Sequence, residues 1–440
     1  MIEIRKWVCA VSFCALFPVL AVACPDIRLL YPEEDRDWSE LQEELLQLFD
    51  QCLSSSEYFA LLGAAELNIG NLSQAIQSLE RALLLDPDNG AALIDYGEAL
   101  FEDGQLFAAL ETSTLLEARE NMPEGLREQI VERRLRWEKL TRRTLWQAEL
   151  SGGYDNNLNG APDNDRVELT LSGEPIYLAL SEEFRSVSGA LFNTSLSVDH
   201  MRLAPDLQHR WYGRVRGRFS EDDASDVVQL TSRYSRTKET RRSASAQGLG
   251  LNHLSFAGQN FFTGTDFVQR IRVGPSLSAC ERFLSGAAQH QVWHLQRQLD
   301  GVELRAGAGI SCSDNYSAFS YSIEVSALKN IAREDYRLGG DREGWLARVQ
   351  GALPALGGMI SGQIEIASVL DDQGYNELLN NNSRRRVDRA SIFLQYLRPV
   401  SVLGRDVDVL VNLFHQEQKS NLKLFEVDDL AAALGARFSF

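Results

Sequence analysis

The chain ends in Leu430-Ala431-Ala432-Ala433-Leu434-Gly435-Ala436-Arg437-Phe438-Ser439-Phe440. Successive side chains of a strand point to opposite faces, so Leu434, Ala436, Phe438 and Phe440 share one face and Gly435, Arg437 and Ser439 the other. An alternating strand that stops on an aromatic, here Phe438 and Phe440, reads as the closing strand of a transmembrane β-barrel.

The same two-residue period runs back to Leu145. Leu145 to Tyr154 sets Trp146, Ala148, Leu150 and Tyr154 against Gln147, Glu149 and Ser151. Gly189 to His200 sets Phe192, Thr194, Leu196 and Val198 against Asn193, Ser195 and Ser197. Between Trp211 and Phe219, Val215 and Phe219 alternate with Arg214, Arg216 and Arg218. An arginine facing lipid near the midplane costs about 2–4 kcal/mol, so these three are expected in the lumen. Further strands are expected near Val227 to Arg236, Ala244 to Phe256, Thr265 to Ser276, Gln289 to Gln298 and Val302 to Cys312. Others follow near Tyr316 to Leu328, Trp345 to Gly351, Met359 to Leu370, Val387 to Leu397 and Val407 to His415. With the closing strand the barrel has about 14 strands, and an even number brings both its ends to one side of the membrane. Val167 to Leu171 is also strand-like. Leu353 to Gly358 reads as a short turn on the side of the chain ends, and Asp371 to Arg386 and Gln416 to Asp429 as long outer connections.

Composition agrees. Only 44% of residues are apolar, too few for a bundle of membrane helices, but a barrel presents just every second strand residue to lipid. The formal charge of −18 disfavours a nucleic-acid partner, which needs a basic stripe. A soluble all-β sandwich or propeller is the competing architecture. Charged inward sets on strand after strand oppose it.

The N-terminus reads as an export signal: Arg5 and Lys6, an apolar run from Trp7 to Leu20, then Ala21-Val22-Ala23, the small residues a signal peptidase accepts. Cleavage after Ala23 is expected; acylation of Cys24 is the rival. Of six cysteines, Cys9 and Cys14 leave with the signal. Cys280 and Cys312 fall at the same end of neighbouring strands and could form a disulfide, with Cys24 and Cys52 the other pair. No Cys-x-x-Cys spacing supports zinc.

Ahead of the barrel, between Ser56 and Pro123, lies a repeat. Phe59, Leu62, Gly63, Ala75, Leu79, Ala82 and Pro87 stand at tetratricopeptide spacings, and Leu93, Tyr96, Gly97, Leu100, Gly104, Ala109 and Pro123 echo them. Gly63 and Ala75 let paired helices approach closely, and Pro87 ends the second helix. Helices around Trp38 to Leu53 and Leu126 to Leu140 are expected to cap the pair. The fold class is therefore α + β in two domains, residues 24–144 a helical solenoid and 145–440 the barrel. A solenoid groove can hold a partner segment, or the repeat is a spacer. The basic run Arg127, Arg133, Arg134, Arg136, Lys139, Arg142 and Arg143 could meet lipid phosphates or form a solvated helix face.

Catalytic chemistry is not in evidence. The histidines are scattered, and His290 and His294, four residues apart in sequence, are expected to line the lumen rather than hold a metal. No enzyme activity, metal or cofactor is expected.

The first strand runs into Gly152-Gly153-Tyr154-Asp155-Asn156-Asn157-Leu158-Asn159-Gly160-Ala161-Pro162-Asp163, a cluster of turn-forming residues. Trp146, Gly153, Tyr154, Asp155, Asn157, Asn159, Ala161 and Pro162 match the Trp-led strand and Gly-Tyr-Asp-x-Asn-x-Asn-x-Ala-Pro-like segment of the surface lipoprotein assembly modulators. Here the chain resembles that family, outer-membrane proteins of type XI secretion, although its repeat region is short. The resemblance implies a periplasmic repeat domain, a fourteen-stranded barrel and passage of a lipoprotein or soluble client across the outer membrane of a Gram-negative bacterium. Implied partners are that client, outer-membrane lipid and the machinery that inserts barrels, with no nucleic acid. An exopolysaccharide export porin, which also joins such repeats to a barrel, and a surface host-interaction factor acting through its outer loops are the alternatives.

Overall fold

The computed structural model describes residues 23–30, 37–120, 122–240, 243–274, 279–314, 318–402 and 404–440. The expected export signal lies outside them apart from Ala23. Two compact units divide between Leu140 and Thr141.

The first unit holds helices α1 (Trp38–Gln47), α2 (Ser56–Asn68), α3 (Leu72–Leu85), α4 (Gly90–Glu102), α5 (Leu106–Glu117) and α6 (Glu124–Leu140). The repeat shows in its caps: the Ser55 hydroxyl accepts from the Tyr58 amide at 3.2 Å, and one repeat later Asn89 accepts from Ala92 at 3.1 Å. Such caps satisfy amides that a helix start leaves unpaired. Helix α2 packs on α3 and α4 on α5, with α1 and α6 at either end. Leu41, Leu45, Tyr58, Leu79 and Ala82 are buried between them. A disulfide joins Cys24 to Cys52; that sulfur cannot also carry a lipid thioether.

The two repeat glycines are not equivalent. A methyl on Gly63 would stand 2.5 Å from the Leu79 side chain, whereas one on Gly97 would meet Thr112 at 3.6 Å, an ordinary contact. Gly63→Ala should therefore destabilise the helical unit by about 1–3 kcal/mol through overpacking. Gly97→Ala should be neutral or stabilising by up to about 1 kcal/mol, the helix-propensity gain. Thermal melts at 222 nm of the full chain in detergent check both.

The second unit contains sixteen strands: β1 (Arg142–Asp155), β2 (Arg166–Leu171), β3 (Glu174–Ala179), β4 (Gly189–Ala204), β5 (Leu207–Ser220), β6 (Val227–Glu239), β7 (Ala244–Phe256), β8 (Gln259–Arg272), β9 (Cys280–Trp293), β10 (Gly301–Asp314), β11 (Phe319–Ala332), β12 (Arg342–Ala355), β13 (Gly358–Gly374), β14 (Arg384–Val402), β15 (Arg405–Ser420) and β16 (Val427–Ser439). All but β2 and β3 close into one antiparallel barrel of fourteen strands, in which β16 pairs β1 and β1 pairs β4. The strands reach beyond the spans read from sequence. β1 opens at Arg142 rather than Leu145, and β9 covers 280–293 rather than 289–298, because the small run Ser285-Gly286-Ala287-Ala288 carries little alternation. The connection expected over 371–386 shrinks to residues 375–383, since Asp371 is buried within β13. Val167 to Leu171 belongs to β2, which pairs only β3 in a separate hairpin.

The outward face is apolar, with Leu150, Phe192, Leu196, Leu249, Phe267 and Ile364 all exposed. The charged partners Glu149, Arg214, Arg348 and Glu365 occupy the inward positions. A sealed cylinder with an apolar outside is the form in which strands cross hydrocarbon. His209, Trp211 and Tyr234 cluster on the outer face near one rim, where aromatic groups meet the membrane interface, while Phe262 and Trp293 pack together near the other rim on the side of the lumen. With an even strand number, β1 begins and β16 ends at the same rim. Turns there are tight, as between β12 and β13, where Leu356 and Gly357 take φ of 52° and 74°. Positive φ at both central residues matches the turn to the strand twist. Cys280 and Cys312, directly opposite on β9 and β10 near this rim, are bonded.

Candidate functional site

Main-chain pairing at the barrel seam positions the matched segment. Trp146 and Phe440 exchange two backbone hydrogen bonds, at 2.9 and 3.0 Å. Their side chains, with that of Phe438, stand exposed. Further along, Gly153 and Gly435 lie where any side chain would strike main chain across the seam, Ala432 in one case and Leu150 in the other. Tyr154 faces out, but Asp155 and Asn157 are each only 2% exposed.

Beyond Asp155 the chain folds into a latch. The Asn157 amide donates to the carbonyls of Ala161 at 2.9 Å and Asp428 at 3.1 Å, while its oxygen accepts from the Ala161 amide at 3.0 Å. Asn159 donates to Arg185 O at 2.7 Å and accepts from Val187 N at 3.2 Å. Arg218 closes the arrangement, pairing with Asp155 at 3.2 Å and donating to Leu158 O. Asn164 reaches Lys423 O and Glu426, and Thr170 donates to Leu378 O, so the β2–β3 hairpin is tied to two other connections of the same rim. Ala161 and Pro162 line a cavity of about 740 Å³ together with Val167, Leu180, Phe184 and Leu424.

Below the latch the lumen wall is charged. Glu149 bridges Arg214 at 3.1 Å and Arg437 at 2.5 Å, and Arg437 also donates to Gln395. With Arg216 and Arg218 these residues line a cavity of about 390 Å³. A second network was not legible in the sequence, where its members read as loop charges. Asp371, 1% exposed, takes Arg385 at 3.1 Å and Arg342 at 3.4 Å, and Arg385 lies between the rings of Tyr375 and Phe425 at 4.6 and 4.5 Å. The run Arg384-Arg385-Arg386 beside Asp371-Asp372 was the only hint.

The histidines do not line the lumen. His253 and His294 each bond the Thr263 hydroxyl at 2.8 Å on the outward face that carries Leu249 and Leu251, and His290 pairs opposite the outward Val302. Strand parity puts them there. Among the described residues no group of three or more His, Cys, Asp or Glu could hold a metal ion.

Several of the basic residues before the barrel are engaged within the helical unit. Arg127 donates to Glu117 O and Arg119 O at 2.6 and 2.7 Å, Arg133 pairs Glu98 at 2.9 Å, and Arg134 bridges Glu117 and Glu138. These three are therefore not free to meet lipid phosphate. Beside them burial pushes the Asp95 carboxyl up to about 6, with Arg133 opposing and Glu98 adding to the rise.

Compared with known proteins, residues 70–123 match the tetratricopeptide repeat model. No curated protein matches the chain in sequence. Among solved structures it is similar to the type III secretion translocator chaperone SycD of Yersinia enterocolitica, with 18% identity over 23% of this chain and 71% of that one, TM-score 0.22. It is also similar to OprD of Pseudomonas aeruginosa, with 9% identity over 68% of this chain and 94% of that one, TM-score 0.31. The chain combines a tetratricopeptide unit with a closed antiparallel barrel.

Two outcomes follow from these geometries. Arg218→Ala leaves Asp155 buried without its cation, a loss of about 3–5 kcal/mol. Limited proteolysis between 156 and 188 should then accelerate on the order of ten-fold or more, while the barrel keeps its heat-modifiable mobility on gels. For Asp95, the unfolded pKa near 3.9 lies below the folded value of about 6, so the folded unit holds the proton more tightly. Its contribution is fully present below about pH 4 and is lost as pH rises through 6. Asp95→Asn should flatten the helical melting temperature between those values and stabilise the unit at pH 7 by about 1–3 kcal/mol.

Proposed function

We propose that the protein is an outer-membrane translocator without enzymatic activity. Its repeat unit receives an exported polypeptide client on the periplasmic side, and its barrel provides the route across. The observation that carries this reading is the latch. Asp155, Asn157, Asn159 and Ala161, four of the residues matched to the surface lipoprotein assembly modulators, form one hydrogen-bonded structure at the mouth of the barrel, and Pro162 lines the cavity beside it. A structure held by a small set of side-chain and main-chain hydrogen bonds can be released as a unit, which a gate for a polypeptide requires.

Fusion of the repeats to the barrel supports the same assignment, since one chain then brings client and pore together at high effective concentration. Deleting the gene should leave at least one otherwise surface-exposed or released protein in the periplasm, read by comparative proteomics of periplasm, cell surface and medium. Surface and medium proteomes identical to the parent's would overturn the reading.

A further inference from the structure

On the inward face of β5 three arginines follow one another at alternate positions. Arg214 is spoken for by Glu149 at 3.1 Å and Arg218 by Asp155 at 3.2 Å. Arg216, between them, has neither an ion pair nor a hydrogen bond among the described residues. It is exposed to the lumen and lines the cavity of about 390 Å³. The carboxylates of that cavity are Glu149, Asp155 and Asp429, against four arginines. Glu149 is held by Arg214 and Arg437, and Asp429 lies beside Asp155 and Arg218. Among the described residues no carboxylate of this wall bonds Arg216 directly, and Glu149 reaches it only through space.

A guanidinium left open in a walled cavity is an anion receptor, because its planar fork of donors matches a carboxylate in two parallel bonds. The same cavity adds the amide of Asn412 and the apolar rings of Phe393 and Phe414. Amide donors and apolar surface beside a cation suit a carboxylate on a compact, partly apolar body, rather than a hydrated halide. We propose that Arg216 is the centre of a carboxylate-binding site in the lumen. Two sources offer this chemistry: a small free carboxylate, or an acidic side chain of a polypeptide in the barrel. The site rests on lumen residues alone, so it stands or falls separately from the client experiment.

The test uses the full chain in detergent at low ionic strength. Titrated 4-fluorobenzoate is followed by fluorine NMR line broadening, with 4-fluorobenzamide as the uncharged counterpart. The wild type should bind the acid and not the amide, and chloride should compete. Arg216→Gln should weaken binding by about ten- to a hundred-fold, the usual worth of hydrogen bonds to a charged group. Arg216→Lys should fall between, and Arg233→Gln, which removes the Asp266 partner, should change affinity by less than about three-fold. Acetyl-Phe-Glu-amide tested against acetyl-Phe-Gln-amide separates the sources: selective competition by the former assigns the site to polypeptide side chains, and its failure to compete assigns it to small carboxylates. A second measurement needs no variant, since bound 4-fluorobenzoate should protect Arg216 from phenylglyoxal as read by mass spectrometry. Absence of wild-type binding, equal binding by Arg216→Gln, or equal Arg216 modification with and without the acid overturns the proposal.

Discussion

Main-chain amides in hydrocarbon have only one another to bond, and in this protein that demand is met at the junction of β1 with β16. Every other strand pair joins neighbours in the barrel sequence through a turn or a loop. This one joins the two ends. Small residues meet there, Ser151 opposite Gly435 and Gly153 opposite Ala433, with Gly152 facing Leu434, so the two strands approach almost backbone to backbone. Gly153 and Gly435 are needed because a β-carbon at either would occupy the partner strand's main chain. The chemistry of closure thus dictates part of the matched segment before any functional demand acts on it.

What the wall gives up in side-chain bulk, the lumen recovers in charge. Paired ions held away from bulk water gain from mutual attraction only if their remaining donors and acceptors are also satisfied. Glu149 meets this by serving two arginines, and Arg437 by adding Gln395. Asp371, near the far rim, instead relies on two cations, Arg342 and Arg385, the latter clamped between two aromatic rings, and its Oδ2 stays without a hydrogen bond among the described residues. These networks tie strands distant in the chain.

The architecture was legible because both periods, helical and strand, run long enough to be counted, and because arginine on alternate positions has one tolerable side. The repeat glycine Gly63 announced tight helix packing, and the packing against Leu79 is tight. Boundaries were less legible. Alternation fades where small residues dominate, as at 285–288, and a buried acid such as Asp371 looks like a loop residue when its partners, Arg342 and Arg385, come from other strands. The histidines face outward because polar and aromatic side chains at the rims of the outer face meet the headgroup layer, so polarity alone does not mark a lumen position. The latch could be recognised by composition, but its geometry arises from carbonyls at Asp428 and Arg185 that no local pattern specifies.

The seam has a consequence for biogenesis. Gln147 and Ser439, hydrogen-bonded side chain to side chain, are 292 residues apart, and the backbone amide of Trp146 is satisfied by Phe440. A polypeptide lacking β16 would carry two raw edges, on β1 and β15, with nothing to marry them. Closure of the cylinder must therefore wait for β16 to be made.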